Sequence, residues 1–260
     1  MRGWLRVVLR GIPLAVVVFG GLLAMLALRL FERPLCGTHR PITPFITIFV
    51  CRVALRILRL ELRVHGTPLQ GQGAVVANHS SWLDIFVLNA VKRVYFVSKA
   101  EVAGWPGIGW LAQATGTVFI RRARAEAAAQ TQVFHERLSA GHKLLFFPEG
   151  TSSDGQRVLP FKSSLFAAFF APGLRETLSV QPVSLRYTAP QGEDPRFYGW
   201  WGDMDFGPHF LHMLATKGGG CATLRYHAPQ AVSEYKNRKE LALTCEKAIN
   251  SGHQKDSLIA

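Results

Sequence analysis

Residues 73–91 read GAVVANHSSWLDIFVLNAV, and this stretch carries the step from strand to helix on which the fold depends. Its first part, GAVVA, is a short apolar run typical of a buried strand, and its last part, SSWLDIFVLNAV, has the length and apolar content of a helix. Between them lie His79 and, five positions later, Asp84. In an α/β sheet, ligands usually bind at the carboxyl ends of the strands. His79 is therefore expected at the edge of the sheet where a reaction could take place.

The pair His79 and Asp84 has two interpretations. In the first, the imidazole accepts a proton near neutral pH, and the carboxylate holds one ring nitrogen, fixes the tautomer and stabilises the imidazolium. The nucleophile would then be a hydroxyl group of the substrate, which completes a catalytic triad from outside. In the second, Ser81 is the N-cap of the helix and Asp84 its third residue, in a capping pattern without chemistry. Residues 73–91 alone leave both interpretations open.

Strand-like and helix-like segments alternate along the rest of the chain. Alternating apolar residues in LELRVHG predict that the globular part begins with a strand at Leu60. Strands separated by helices predict an α/β fold with a mostly parallel sheet flanked by helices. Pro182, in the predicted strand SVQPVSLRY, indicates that this strand forms an edge or the wall of a pocket. Further strands are predicted at GAVVAN, RVYFVSK, GTVFIRR, KLLFFP and ATLRYHAP, and helices at SSWLDIFVLNAV, PGIGWLAQA and residues 124–139, 163–170 and 235–249.

The N-terminal part is apolar enough to associate with a membrane. Residues 11–28 carry no charge, and a helix of this length reaches about 27 Å, just short of the roughly 30 Å hydrocarbon core of a bilayer. Arginines lie on both sides of it, so charge does not orient a spanning helix, and a helix that enters and returns fits equally well. The lack of an A-x-A cleavage site argues against a signal peptide.

A second apolar helix is predicted at FITIFVCRVALRILRL, after the proline-containing connector ERPLCGTHRPITP. Arg52, Arg56 and Arg59 recur at helical spacing and form one stripe among Val, Leu and Ile. This pattern is typical of a helix at a membrane interface, although an ordinary solvated face would look alike. We therefore divide the chain into N-terminal membrane-associated helices in residues 1–59 and an α/β domain in residues 60–260.

The composition favours a membrane surface as partner. The chain of 260 residues has a formal net charge of +13 and 48% hydrophobic residues, and such a balance suits anionic lipid, nucleic acid or acidic proteins. No nucleic-acid-binding motif is present in the sequence, so we expect membrane lipids and no nucleic acid. The four cysteines show no metal-ligand spacing, and we expect neither a metal site nor a disulfide framework.

Four blocks of sequence decide between the two interpretations of His79. They read NHSSWLD at 78–84, GTVFIRR at 116–122, FPEGT at 147–151 and VQPV at 180–183. In this order they resemble the glycerolipid acyltransferase family, of the 1-acylglycerol-3-phosphate type, whose blocks read NHxxxxD, GxxFIxR, FPEGT(R)S and VxPV. The resemblance covers residues 75–187 and favours the catalytic interpretation.

The resemblance implies that His79 is the general base that removes the proton of a lysolipid hydroxyl and that Asp84 orients its ring. It also implies an acyl thioester as donor, carried by acyl carrier protein or coenzyme A, and no metal or other cofactor. Acyl carrier protein is the partner that we expect on this ground. We expect the protein in the bacterial inner membrane, with its catalytic domain on the cytoplasmic side.

The same resemblance implies a set of substrate-binding residues, and each has a structural alternative. The arginine of the second block could be a solvated strand end, Glu149 and Gly150 could start a turn, and Lys162 could lay its stem along an apolar helix. The set that would hold the acceptor consists of Arg122, Glu149, Gly150, Thr151 and Lys162.

The third block departs from the family pattern at Ser152. Members that form phosphatidic acid commonly carry an arginine here, so a two-pronged phosphate contact is missing. The segments FPEGTSSDG, NHSSWLDI and YGWWGDMDFGPHF are most similar to those of lyso-ornithine lipid O-acyltransferases. We therefore expect lyso-ornithine lipid as acceptor, with lysophosphatidate as the alternative or as a second substrate. Asp203 and Asp205 could pair with the ornithine ammonium or form a turn.

Two rival classes of protein would use the same residues differently. A serine hydrolase would need a nucleophile elbow, and G-x-S-x-G does not occur in the sequence. A basic membrane-docking protein without activity would use the arginine stripe and a capped helix at Ser81. The sequence carries no signal for oligomeric state.

Overall fold

The computed structural model describes residues 2–71, 73–105, 107–121 and 127–257. Short 3₁₀ helices lie at Ala100–Gly104, Ser163–Phe170 and Val232–Glu234. The α-helices are α1 (Arg2–Cys36), α2 (Thr43–Ile57), α3 (Asp84–Val91), α4 (Ile108–Thr115), α5 (Ala127–Ser139), α6 (Phe206–Ala215) and α7 (Arg238–Ser257). The strands are β1 (Glu61–His65), β2 (Gly73–Ala77), β3 (Tyr95–Lys99), β4 (Val118–Ile120), β5 (Leu144–Phe146), β6 (Ser179–Thr188), β7 (Cys221–Tyr226) and β8 (Gln230–Ala231).

The strands form one sheet in the order β1-β7-β6-β2-β5-β3-β4, and β8 pairs with β6. The pairs on either side of β2 and β3 are parallel, as is β1 with β7, whereas β6 runs antiparallel to β7 and β8. The predicted α/β fold with a mostly parallel sheet is therefore confirmed.

Strand β2 lies in the middle of the molecule and is buried on both faces. Val75 and Ala77 belong to a core that includes side chains of α1, α2, α3 and α6. Ala74 and Val76 belong to a second core, with side chains of α5, α7 and the 3₁₀ helix Ser163–Phe170. Period-two alternation in a strand buried on both faces places helices on both sides of the sheet.

The edge position predicted for the strand around Pro182 is wrong, because β6 lies between β2 and β7. On the side away from β2, residues 179–180 of β6 pair with β8 and residues 183–188 pair with β7. The carbonyl of Pro182 accepts the N–H of His227 at 3.0 Å, an ordinary hydrogen-bond distance. The nitrogen of a strand residue points to the same side as its carbonyl. The nitrogen of Pro182 therefore faces the gap between β8 and β7, where its missing N–H interrupts no hydrogen bonds between strands.

Three helices differ from those predicted. Helix α3 begins at Asp84, later than predicted, yet both contacts of the capping pattern are present: the N–H of Leu83 donates to Oγ of Ser81 at 3.4 Å, and the N–H of Ser81 donates to Oδ2 of Asp84 at 3.1 Å. Residues 163–170 form a 3₁₀ helix, and the last helix lies later than predicted, at Arg238–Ser257. Helix α6 was not predicted, because its sequence follows a Trp- and Gly-rich segment.

Helices α1 and α2 form a hairpin. Helix α1 is a continuous helix of 35 residues that extends through Pro34 into the predicted connector. The two helices approach closely at Gly21, where a Cβ atom would lie 2.4 Å from Cγ2 of Val50. One window of α1 is long and apolar enough to cross a bilayer, and many large apolar side chains of the hairpin, such as Leu23, Leu35 and Phe49, are exposed. These features suggest membrane association.

Both ends of the hairpin are tied to the α/β domain. Arg10 donates hydrogen bonds to the carbonyls of Leu214 and Thr216, at 3.1 and 2.8 Å, at the end of α6. From the connector between α1 and α2, Arg40 donates to the carbonyl of Ala114 at 2.6 Å, at the end of α4. Carbonyls at the end of a helix have no partner within the helix and carry partial negative charge, so arginines stabilise them.

The arginine stripe of α2 is exposed, as its spacing predicts. Two of its members nevertheless bind the domain: Arg52 donates to the carbonyl of Ala90 at 2.8 Å, and Arg59 donates to the carbonyl of Lys217 at 3.3 Å. The stripe therefore also connects α2 to the rest of the fold.

Candidate active site

His79 and Asp84 lie next to each other at the carboxyl end of β2. Nδ1 of His79 is 2.7 Å from Oδ2 of Asp84. The side chain of His79 is 23% exposed, whereas that of Asp84 is fully buried. Tight turns of the chain bring Asp84, at the first residue of α3, back toward the end of the strand. The pair therefore has the geometry that the catalytic interpretation requires.

The carboxylate of Asp84 accepts three further hydrogen bonds. The backbone N–H groups of Ser80 and Ser81 donate to Oδ2 at 2.8 and 3.1 Å, and the hydroxyl of Tyr187 donates to Oδ1 at 2.8 Å. Because the other contacts of this carboxylate are all with donors, Asp84 acts as the acceptor toward the ring, and the proton of the imidazole is assigned to Nδ1. Nε2 of His79 then carries a free lone pair, and it has no hydrogen-bond partner among the described residues.

The sequence did not reveal the part played by Tyr187. This tyrosine is buried on β6, 103 positions after Asp84 in the chain. In sequence it looks like an ordinary core residue. Burial, and then the neighbouring charge of Asp84 and its hydrogen bond, raise the pKa of Tyr187 well above its usual value. The phenol therefore stays protonated and acts as a fixed donor to Asp84.

Asn78 anchors the loop that carries His79. Its side-chain amide donates to the carbonyl of Leu185 and its oxygen accepts the N–H of the same residue, both at 2.8 Å. Two backbone contacts hold the loop further: Ser153 donates its N–H to the carbonyl of His79 at 2.9 Å, and Trp200 donates its N–H to the carbonyl of Ser80 at 2.8 Å. The first block of sequence is therefore fixed by segments far away in the chain.

The third block packs directly on the histidine. The ring of Phe147 is stacked on that of His79, with 4.1 Å between the centroids and 10° between the planes. Phe147 in turn packs on Phe96 of β3. One face of the imidazole is thereby covered, and the ring can move little out of the plane that directs Nδ1 to Asp84.

Glu149 lies beneath the same loop and is buried. Its Oε1 accepts the N–H of His79 at 2.8 Å, and its Oε2 accepts the N–H of Leu159 at 3.0 Å. Burial raises the pKa of Glu149 to about 8, although the two N–H donors lower it in part, and the charge of Asp84 raises it further. Both carboxyl oxygens are thus in contact with the backbone, and the substrate-binding role of Glu149 stays a prediction.

The other predicted substrate-binding residues lie around this centre or outside the described residues. Gly150 has a φ of +75°, and its N–H donates to the carbonyl of Phe147 at 3.1 Å in a turn. Thr151 is exposed beside it, and Lys162 is exposed while its N–H donates to the carbonyl of Pro148 at 2.9 Å. Arg122 lies outside the described residues. The roles of all four stay predictions.

An aromatic wall extends from the active-site loop to α6. The indole N–H of Trp82 donates to Nδ1 of His209 at 3.1 Å. The Trp82 ring also meets those of Phe86, Phe206 and Phe210 edge-on, at centroid distances of 6.0, 5.2 and 5.8 Å. Because α6 packs against α1, this wall connects the loop of His79 with the apolar hairpin.

The four cysteines are free thiols. Within the described ranges, no group of three or more His, Cys, Asp or Glu side chains is arranged so that it could hold a metal ion.

A histidine held by a buried aspartate at the carboxyl end of a central strand, together with the four blocks of sequence, is the arrangement expected of acyltransferases that act on lipid hydroxyl groups. Residues 61–186 match the family model described as "Acyltransferase". The comparison with known proteins supports the same class over nearly the whole chain. A lyso-ornithine lipid O-acyltransferase of Rhodobacter capsulatus is 57% identical over 95% of this chain and 90% of its own length.

The chain therefore belongs to the acyltransferase family. A 1-acyl-sn-glycerol-3-phosphate acyltransferase of Neisseria gonorrhoeae is 40% identical over 54% of this chain and 54% of its own length. Among solved structures, the 1-acyl-sn-glycerophosphate acyltransferase of Thermotoga maritima has the same fold, with a TM-score of 0.67, 24% identity and coverage of 99% of this chain and 98% of that one. The rival classes, a serine hydrolase and a docking protein without activity, do not describe this protein.

Proposed function

We propose that this protein transfers a fatty acyl group from an acyl thioester to the hydroxyl group of lyso-ornithine lipid and so forms ornithine lipid. The observation that carries the reaction is the free Nε2 of His79, whose Nδ1 is held 2.7 Å from Asp84. The acceptor is supported by the name of the Rhodobacter capsulatus relative. It is also supported by Ser152, which stands where an arginine would bind the phosphate of lysophosphatidate.

The reaction begins when Nε2 of His79 takes the proton of the acceptor hydroxyl. The oxygen attacks the carbonyl carbon of the thioester, and the tetrahedral intermediate collapses with loss of the thiolate. The imidazolium returns its proton to the thiolate, so the products are an ester and a free thiol. Asp84 stabilises the imidazolium while it exists, and it does not itself need to take up the proton. No acyl-enzyme forms in this scheme.

The acceptor headgroup is bound, in this proposal, around the third block. Gly150 and Thr151 would offer backbone and hydroxyl groups, and Lys162 would reach a carboxylate such as that of ornithine. Arg122 would serve the same end of the acceptor. Glu149 would act by holding the backbone N–H of His79, in addition to any contact with the acceptor.

The proposed division of labour between the two parts of the chain follows from the surface of the hairpin. Residues 1–59 would lie in the bacterial inner membrane, and residues 60–260 would form the catalytic domain on the cytoplasmic side. Exposed apolar residues of α1 and α2 suit lipid, and the lysolipid would reach His79 along the aromatic wall of Trp82. The donor, proposed to be acyl carrier protein rather than coenzyme A, would approach from the water.

Substitutions of His79 and Asp84 test the reaction. We expect purified His79→Gln to lose acyl transfer by about 10²- to 10⁴-fold, because a positioned base contributes that much to the rate. Asp84→Asn should reduce the rate by a similar factor. Its NH₂ group cannot accept the hydrogen bond from Nδ1–H of His79, or else it faces one of the other donors around this side chain. His65→Gln, a change at an exposed histidine of β1, is the matched control and should keep full activity.

The measurement uses labelled acyl donors on acyl carrier protein and on coenzyme A, with products identified by mass spectrometry. The acceptors are lyso-ornithine lipid, lysophosphatidate and lysophosphatidylcholine. Wild-type turnover retained in His79→Gln would contradict the proposed base. Phosphatidic acid as the main product would instead favour the second candidate, a 1-acyl-sn-glycerol-3-phosphate acyltransferase, which the Neisseria gonorrhoeae relative supports.

A further inference from the structure

A group of basic side chains lies at the amino ends of the strands, whereas His79 follows the carboxyl end of β2. We call Arg40, Arg93, Arg137 and His142 the basic cluster. The Arg137 guanidinium lies 4.8 Å from the centroid of the Tyr95 ring, and the ring of His142 lies 4.3 Å from the same centroid. Arg40 and Arg137 also meet at Gly116: a Cβ on that glycine would lie 2.8 Å from Cζ of Arg40, and Arg137 donates to the Gly116 carbonyl at 2.7 Å.

The basic cluster is separate from the active site. Tyr95 is the first residue of β3, and it is level with Leu144 of β5 and Ala74 of β2. His79 comes five residues after Ala74, at the other end of β2, which places it about 16 Å away along the strand direction. A ligand held by the basic cluster therefore lies outside the site of acyl transfer.

The arginines of the cluster form no ion pair within the described part of the chain. Glu32, the acid whose charge acts on Arg40, is itself paired with Arg29. Nε of Arg137 and both ring nitrogens of His142 are buried without a hydrogen-bond partner. Buried donors without an acceptor are costly and uncommon, so a missing acceptor is the simplest explanation.

Two members of the cluster, Arg40 and Arg93, line a cleft beside the hairpin. The cleft is also lined by Tyr95, Met25, Thr47 and Asn89, and it therefore lies between α1, α2 and the start of β3. Arg93 is placed over the ring of Phe45, 5.3 Å from its centroid. Phe45 and Ile42 are exposed apolar residues at the start of α2, so the cationic cleft adjoins the surface suited to lipid.

We propose that the basic cluster binds a phosphate group and that this group is the headgroup phosphate of an anionic membrane phospholipid. Guanidinium groups match phosphate with paired hydrogen bonds, and several of them together suit its charge better than a single carboxylate would. Basic pockets beside membrane helices are a recurrent way of binding anionic headgroups. Bound at Arg40 and Arg93, the phosphate would offset the positive charge of the whole cluster and hold the hairpin against the domain.

His142 offers a direct readout of binding. Its burial, together with the charges of Arg137, Arg40, His39 and Arg93, lowers the pKa of His142 to about 4, so without an anion the ring is neutral at pH 7. A phosphate beside the ring favours the imidazolium, and the ¹⁵N chemical shifts of the ring nitrogens report that change. The signal is assigned by comparison with His142→Gln.

The test is a titration of the purified full chain in neutral detergent at pH 7, followed by the ¹⁵N shifts of labelled histidine. Phosphatidylglycerol, phosphatidylcholine and inorganic phosphate are added separately. We expect saturable binding of phosphatidylglycerol, weakened about tenfold in Arg93→Gln, which loses a charged hydrogen-bond donor. Arg93 is exposed, so this variant should fold. Arg238→Gln removes the same charge from the distant, exposed start of α7 and should bind as the wild type does.

The separate titrations distinguish the sources of phosphate. Saturation by phosphatidylglycerol with little response to inorganic phosphate supports the lipid source, whereas saturation by inorganic phosphate alone overturns it. The absence of a saturable response to any of the three compounds overturns the site itself. A loss of affinity in Arg238→Gln equal to that in Arg93→Gln also overturns the site, because such a result would show attraction by net charge alone. All these readouts concern binding, so they are independent of whether the proposed acyl transfer is correct.

Discussion

Asp84 is the residue on which the loop depends and on which the proposed reaction depends as well. Its carboxylate accepts hydrogen bonds from Ser80, Ser81 and Tyr187 in addition to its contact with His79. The backbone donors shape the turn between β2 and α3, and the imidazole contact directs the base. The same side chain thus accounts for an aspartate five positions after the histidine, and it serves the turn and the imidazole at once.

Tyr187→Phe should slow the reaction without disturbing the binding of substrates. The change leaves one oxygen of a buried carboxylate without its donor, and hydrogen bonds to charged groups contribute about 1.5–3 kcal/mol. We expect kcat to fall about tenfold or more, with KM nearly unchanged. More negative charge would remain on Asp84, so the acidic limb of the pH–rate profile should move to higher pH.

The control for Tyr187→Phe is Tyr226→Phe, which removes the hydroxyl of another buried tyrosine, on β7. A role for Tyr187 in packing alone would lower Tm and leave the pH–rate profile unchanged. That outcome, or an equal shift of the profile in Tyr226→Phe, would contradict a positioning role.

Glu149 should make stability depend on pH. Because its pKa is raised from 4.5 to about 8, the folded chain holds a proton over a range in which the unfolded chain has lost it. The contribution is fully present below about pH 4.5 and is lost as pH rises through about 8. We expect Tm to fall between pH 5 and 8 more steeply in the wild type than in Glu149→Gln, measured in detergent. Glu101→Gln, at an exposed acid, should keep the wild-type slope, and an unchanged slope in Glu149→Gln would contradict the prediction.

Sequence patterns identified the candidate catalytic pair but not the residues that hold it in place. His79 and Asp84 are near neighbours in the chain, so their spacing alone suggested a contact. Tyr187 lies 103 positions after Asp84, and Leu185 lies 107 positions after Asn78. Only the pairing of β2 with β6 brings them close. A single sequence holds no direct record of such pairing.

Helices were predicted well where apolar spacing was regular and poorly where turn-forming residues interrupted it. Helix α6 was overlooked because glycines surround FGPHFLHMLA. Pro208 lies in its first turn, where a missing N–H breaks no hydrogen bond. Pro182 predicted an edge strand or the wall of a pocket, and the order of the strands excludes the edge. The effect of a proline in a strand depends on the neighbour that it faces, and a sequence does not give that order.

The turn of the hairpin depends on Glu32. Its carboxylate accepts the N–H groups of Ile42 and Thr43 at 2.8 and 3.2 Å, the hydroxyl of Thr43 at 2.8 Å and a guanidinium N–H of Arg29 at 3.0 Å. It thereby ties the end of α1 to the start of α2. A buried acid in an otherwise apolar hairpin is explained by these four donors.

Glu32→Gln should loosen this turn. The amide retains one acceptor oxygen but loses the charge that Arg29 and Thr43 use, and we expect a loss of about 1–3 kcal/mol in the free energy of unfolding. The measurement is Tm in detergent, which should fall. Glu101→Gln again provides the control, and a Glu32→Gln variant as stable as that control would refute the assignment.

The molecule as a whole joins a lipid-facing hairpin to an α/β enzyme domain. Net charge and apolar content predicted that combination, because a charge of +13 with 48% hydrophobic residues suits a membrane surface. The order of the strands, the length of α1 and the basic cluster could not be predicted. All three arise from contacts between segments whose separate sequences have no common pattern.

Arginines that bind α6 and α4 secure the hairpin at both ends, so the hairpin and the domain should move together. In the proposed function the acceptor then arrives by two-dimensional diffusion in the bilayer, while the donor arrives by three-dimensional diffusion from water. Turnover should follow surface-dilution kinetics: when neutral detergent dilutes the lysolipid at constant bulk concentration, the rate should fall in proportion to its mole fraction. A rate that follows bulk concentration instead would mean that the acceptor is captured from solution.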